Sequence, residues 1–136
     1  MSASDHVTGL ETRGSLESFF TSRDGAADLL ALVMCDVVGL KEVNAQDGFA
    51  AGDACLRRAA DRLRTSAADA AILARLGGDE LVAVFIGPQA PTAAERVLAD
   101  LAKSSAPAVR AAAIVQKQGE NCRAVIDRLY AIVRRS

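Results

Sequence analysis

The sequence predicts an α+β fold: a ferredoxin-like, palm-type β-α-β-β-α-β core with a mainly antiparallel sheet and an extra C-terminal helix. Three observations lead there. The run Leu29-Leu30-Ala31-Leu32-Val33-Met34-Cys35 is unbroken, apolar and strand-length, as a strand buried on both faces requires. Two shorter apolar runs flank Gly77-Gly78, the pattern of a hairpin. Helical periodicity fills the intervals, so the order reads strand, helix pair, strand, strand, helix, strand, helix.

The elements follow in chain order. Residues 15–22 form a short helix presenting Leu16, Phe19 and Phe20, and Arg23-Asp24-Gly25 reads as a turn. After the first strand come a short helix at 40–45 and a longer one at 52–66, with Leu56, Ala59, Ala60 and Leu63 at helical spacing. Strands at 71–76 and 81–86 meet at Gly77-Gly78, whose permissive backbone suits a tight reversal. Thr92 with Glu95 reads as a capping box opening the next helix. A weaker strand at 108–115 and a helix at 122–134 finish the chain, the latter offering Val125, Ile126, Leu129, Tyr130 and Val133 to the core. Helices are expected on one face of the sheet. Right-handed crossovers put the first and third strands side by side at its centre.

The 136 residues fit one domain, spanning 1–136. Apolar residues make up 51%, and with no Trp, one Tyr and four Phe the core is mostly aliphatic. A net charge of -1 recommends neither nucleic acid nor an anionic membrane as partner. Arg57, Arg58, Arg62 and Arg64 read as a solvated helix face. Cys35, Cys55 and Cys122 are widely spaced and odd in number, which with a single His gives no zinc pattern and suggests buried free thiols. With no export signal and no apolar span of membrane length, a cytoplasmic location is expected.

Chemistry concentrates at the strand ends. Asp36 closes the first strand and Asp79-Glu80 opens the third, so antiparallel neighbours bring these acids to one edge of the sheet. Singly, each has an ordinary explanation, a strand emerging into water or a polar turn. Together they repel one another unless a cation intervenes, and no Lys or Arg lies within three residues of Asp36. Mg²⁺ held by Asp36, the Val37 carbonyl and Asp79 answers that field, because it takes hard oxygen ligands and bridges phosphates; Mn²⁺ can substitute. Such a site suits nucleotidyl transfer, in which Glu80 assists deprotonation or positions a second metal. Alternation points Glu80 away from Asp79.

Arg75-Leu76-Gly77-Gly78-Asp79-Glu80-Leu81 resembles the signature of the GGDEF domains, the diguanylate cyclases that condense two GTP into cyclic di-GMP. Asp5-His6-Val7-Thr8-Gly9-Leu10 with Arg13 is similar to the family's N-terminal stretch, and Asp36 through Asn44 to its D-x-D-x-F-K-x-x-N segment. Gly52-Asp53 falls where a further G-D pair belongs, and 126–130 echoes the terminal helix. The resemblance implies metal ligation by Asp36, Val37 and Asp79, and a catalytic role for Asp79 and Glu80. It implies guanine binding by Asn44 and Asp53, with Lys41 in the position of the family's lysine. It also implies a homodimer for catalysis, since each domain supplies one GTP half-site, and room for a regulatory protein partner.

Departures accompany these matches. Val38 replaces the second aspartate, Phe49 stands where His is frequent, and Val133 takes the place of a phosphate-gripping lysine, with Arg134-Arg135 beyond it. Ala68 and Ala71 occupy the ends of the inhibitory R-x-x-D motif, so product inhibition there is not expected. Two functions are compatible with this set: an active diguanylate cyclase, or a degenerate GGDEF domain serving as a GTP-binding or dimerising module. A receiver-like domain phosphorylated on Asp36 is disfavoured, because the hairpin interrupts the alternating pattern it needs.

Overall fold

The computed structural model describes residues 3–23, 28–103, 107–117 and 119–135, without the side chains of Cys122 and of 133–135. The expected turn at Asp24-Gly25 and the side chains of Cys122, Val133, Arg134 and Arg135 lie outside the described residues. The elements are α1 (Arg13–Arg23), β1 (Leu30–Val37), α2 (Leu40–Asp47), α3 (Phe49–Ser66), β2 (Ile72–Arg75), β3 (Glu80–Ile86), α4 (Ala90–Lys103), β4 (Val109–Val115) and α5 (Cys122–Arg135). The four strands form one sheet in the order β2-β3-β1-β4. Every pairing is antiparallel, with β1 and β3 at the centre as expected.

Local chemistry sets the boundaries. Thr12 Oγ1 accepts the Ser15 N–H at 3.2 Å and caps α1, which therefore starts two residues before the predicted point. Asn121 Oδ1 does the same for α5, accepting the Ala124 N–H at 2.9 Å. The capping box expected at Thr92 and Glu95 is corrected: α4 begins at Ala90, so Thr92 lies inside its first turn. The chain turns into this helix at Gly87, whose φ of 105° excludes most side chains. Pro91 suits a first turn, where its missing N–H has no partner to lose.

Helices cover both faces of the sheet, not one. Ala31, Val33, Cys35 and Val37 of β1 pack with Leu81, Ala83 and Phe85 of β3 against α3 and α4. Leu30, Leu32 and Met34 face the other way, with Val82 and Val84, onto Leu16 and Phe20 of α1 and Val125, Ile126 and Leu129 of α5. The first and last helices supply this second layer. All eight residues of β1 are consequently buried, which explains a strand with no polar alternation. Each fully buried Leu or Val on either face contributes about 1.5–3 kcal/mol of transfer free energy.

Two arginines read as solvated have structural duties. Arg62 donates to the Leu101 and Pro107 carbonyls, satisfying the C-terminal end of α4. Arg64 donates to the Thr8 carbonyl and pairs with Asp61. Cys35 and Cys55 are free and buried, as expected. Burial, followed by the Asp36 charge, pushes the Cys35 thiol up to about 12.

At the far end of the sheet, Arg128 of α5 grips Glu120 through both carboxylate oxygens at 2.8 Å and donates to the Val115 carbonyl. The Arg128 hydrogen bonds, against a smaller cost of burial, bring the Glu120 carboxyl down from 4.5 to about 2. A depressed folded-state value means the stabilisation is complete above the unfolded value and disappears as pH falls through the folded one. The stability gap between wild type and Glu120→Gln, read by urea unfolding, should therefore be constant above about pH 5. It should close between pH 4.5 and about 2.

Candidate functional site

One cross-strand row carries the acids. Asp36 on β1 lies directly opposite Glu80 on β3 and directly opposite Arg110 on β4. In β1, Leu30, Leu32 and Met34 face α1 and α5, so alternation sends Asp36 to that side; Val82 and Val84 do the same for Glu80. Two carboxylates thus sit side by side on one face, an unfavourable pairing by itself. Asp79, one residue earlier, is reached through the backbone: its carbonyl accepts the Val37 N–H at 3.2 Å. The strand ends converge as the sequence implied.

A local contact fixes Glu80. Tyr130 Oη of α5 donates to Glu80 Oε1 at 3.2 Å. The same oxygen lies over Gly77, where an added Cβ would approach it to 2.3 Å. A side chain at Gly77 would therefore push the Glu80 carboxylate out of this position. Neither Gly77 nor Gly78 takes a positive φ, so the backbone-freedom argument for the pair is corrected. The hairpin closes through Leu76 N–H on the Glu80 carbonyl at 2.8 Å.

Arg75 braces this hairpin from behind. It donates to the Gly77 and Gly78 carbonyls and to both oxygens of Asp5. Asp5 in turn accepts the Thr8 N–H and hydroxyl, each at 2.8 Å. Burial opposes ionisation of Asp5, but the Thr8 bonds and Arg75 outweigh it and hold the carboxyl below its usual range. The N-terminal stretch is thus a small knot fastened to the signature turn.

The second cluster lies at the corner of α2 and α3. Gly39 (φ 76°) opens α2 and Gly48 (φ 87°) breaks the path between the helices. This folds Asn44 back onto Gly52: an added Cβ there would lie 1.6 Å from Asn44 Oδ1. Only a glycine admits that amide, and Asp53 follows it on α3. Asn44 and Asp53 are half-buried, whereas Lys41, Val38 and Phe49 are exposed. Asn44 offers both a donor and an acceptor, and Asp53 acceptors alone.

Sequence reasoning missed Arg110. Its Nε donates to Asp36 Oδ1 at 3.1 Å and its Nη2 to Asp36 Oδ2 at 2.9 Å, a bidentate pair. Hydrogen bonding to Asp36, then the charges of Asp36 and Asp79, raise its already high pKa. The cation that the neighbouring acids demand is thus supplied by β4, 74 residues along the chain. A signal was present: Arg110 is the one charged residue in Val-Arg-Ala-Ala-Ala-Ile-Val. With both Asp36 oxygens on Arg110, and no group of three Asp, Glu, His or Cys side chains placed to hold an ion among the described residues, the acid row as it stands is an ion pair; Asp36 and Asp79, with the Val37 carbonyl, could take Mg²⁺ or Mn²⁺ there only in competition with Arg110.

The family model for "Diguanylate cyclase, GGDEF domain" matches residues 2–126. The chain belongs to the GGDEF family. Among curated relatives, an uncharacterized signaling protein of Caulobacter vibrioides is 38% identical over 97 residues, covering 67% of this chain and 12% of its own length. Diguanylate cyclase TpbB of Pseudomonas aeruginosa is 36% identical over 100 residues, covering 71% and 23%. This GGDEF domain therefore spans a minor part of both relatives. The GGDEF domain of DgcB from Caulobacter crescentus, solved with c-di-GMP, superposes with a TM-score of 0.81 at 22% identity, covering 98% of this chain and 88% of that one. A sensory box/GGDEF family protein from Caulobacter crescentus gives 0.76 at 28% identity, with 97% and 96% covered. Among the described residues, no helix is long and apolar enough to cross a membrane.

Proposed function

We propose that this GGDEF domain is a diguanylate cyclase, joining two GTP into cyclic di-GMP with release of pyrophosphate across a two-fold pair of domains. The carrying observation is the Asp36–Glu80 row, in which Glu80 is held by Tyr130 beside a second acid at the mouth of the sheet. Two carboxylates brought side by side at the end of the central strand pair are expected where chemistry uses them. In this reading Asn44 and Asp53 hold guanine, and Lys41 stands near the phosphates. Glu80 takes the proton of the 3′ hydroxyl as that oxygen attacks the α-phosphate held by the facing domain. A bond forms from the 3′ oxygen to the α-phosphorus, that to the bridging oxygen breaks, and pyrophosphate leaves. Asp79 orients the reacting groups. In family members the metal implied for this site, Mg²⁺ or Mn²⁺, supplies charge neutralisation; Asp36, Val37 and Asp79 would be its holders here.

The Arg110–Asp36 pair favours a second reading, a GTP-binding regulatory domain without turnover, and exposed Val38 in place of an acid adds to it. Incubating the purified protein with GTP and Mg²⁺, then resolving cyclic di-GMP and pyrophosphate by chromatography, separates the two. The cyclase reading expects both products, and their loss in Asp79→Asn. GTP binding without product would establish the regulatory reading, and absence of both would end each.

A further inference from the structure

We propose that Arg110 is a built-in counter-cation that blocks divalent metal at Asp36 and must swing away before an ion can be held there. The proposal rests on Asp36 being the acid that the reaction above uses.

The geometry sets the two cations in competition for one carboxylate. Arg110 engages both oxygens of Asp36 at once, leaving the carboxylate no uncovered edge toward β4. Its charge is also felt by Asp79, the other carboxylate expected to bind an ion. A guanidinium does not release its proton in a protein, so the block cannot be lifted by deprotonation. Displacement is the remaining route, and the burial of the two side chains says which partner gives way. Asp36 has a side chain only 9% exposed on a central strand, whereas the Arg110 side chain is 47% exposed on edge strand β4. The carboxylate stays and the arginine can move, its long stem reaching solvent without opening the core. Arg110 thereby determines whether the acidic row is a closed ion pair or an open cation site.

The test uses the full chain and Mn²⁺ alone, with no nucleotide, reading bound ion by electron paramagnetic resonance. Methionine keeps the stem volume and removes the charge. Arg110→Met should bind Mn²⁺ at least about tenfold more tightly than wild type, the scale of losing a charged hydrogen-bonded competitor. Mn²⁺ should also raise its Tm more than it raises that of wild type. Adding Asp36→Asn to Arg110→Met should abolish both gains. Equal affinity in wild type and Arg110→Met overturns the proposal, as does a gain that survives Asp36→Asn. If Arg110→Met does not fold, Arg110→Lys takes its place: it keeps a charge but loses the two-pronged grip, so a several-fold gain supports the proposal and none overturns it. Because GTP is absent, failure of the cyclase reading leaves this result standing. Conversely, a working cyclase whose arginine variants bind no extra Mn²⁺ sinks this proposal alone.

Discussion

Glu80→Gln is expected to lower cyclic di-GMP formation at least about a hundredfold, the scale of removing a general base, while leaving the fold and GTP binding nearly unchanged. The amide oxygen of glutamine can still accept the Tyr130 hydroxyl that holds Oε1 at 3.2 Å, so the side chain keeps its place over Gly77. What disappears is the negative charge and with it the ability to take a proton. Glutamine keeps the size of the side chain and its hydrogen bond from Tyr130, so the variant's Tm should stay close to that of wild type. Turnover is measured by chromatography, GTP affinity by calorimetry and Tm by circular dichroism. A rate within tenfold of wild type would remove Glu80 from proton transfer. A lowered Tm would instead assign it a structural task.

Gly52→Ala should separate binding from stability even more sharply. Alanine is the better helix former by about 1 kcal/mol, so on backbone grounds α3 gains. Yet its Cβ would stand 1.6 Å from Asn44 Oδ1, and the flexible partner is the one that yields. The Asn44 amide must rotate out of the corner, taking with it the donor and acceptor expected to read guanine. GTP affinity should fall at least about tenfold, as befits loss of a paired hydrogen-bond contact, with Tm unchanged or raised. Asn44→Ala should show the same affinity loss, and the double variant no more than either single one, since both remove one contact. If Gly52→Ala binds GTP normally, the corner does not hold the base.

How far the sequence led depends on the range of the signal. The unbroken run Leu29–Cys35 declared a strand buried on both sides, and the strand observed, Leu30–Val37, is buried along its whole length. The sheet order followed from crossover handedness, and the meeting of Asp36 with the hairpin followed from the sheet order. The layer missed was the second one. Helices α1 and α5 come from opposite ends of the chain, and local periodicity does not say which face a helix covers. The same limit hid Arg110. Counting charges within three residues of Asp36 cannot detect a neighbour supplied by the register of β4, 74 residues away. Thr92 and Glu95 failed for the reverse reason: a good local motif was overruled by Gly87, which turned the chain earlier. At the site, type and spacing picked out Asn44 and Gly52-Asp53, but what a side chain at residue 52 would displace became visible only from the packed amide above it.

Arg75 joins two parts of the molecule that are remote in sequence. One guanidinium holds Asp5 with one edge and the Gly77 and Gly78 carbonyls with another. One side chain thus spans from the segment ahead of α1 to the turn that carries Asp79 and Glu80, so Arg75→Ala would cut both attachments at once.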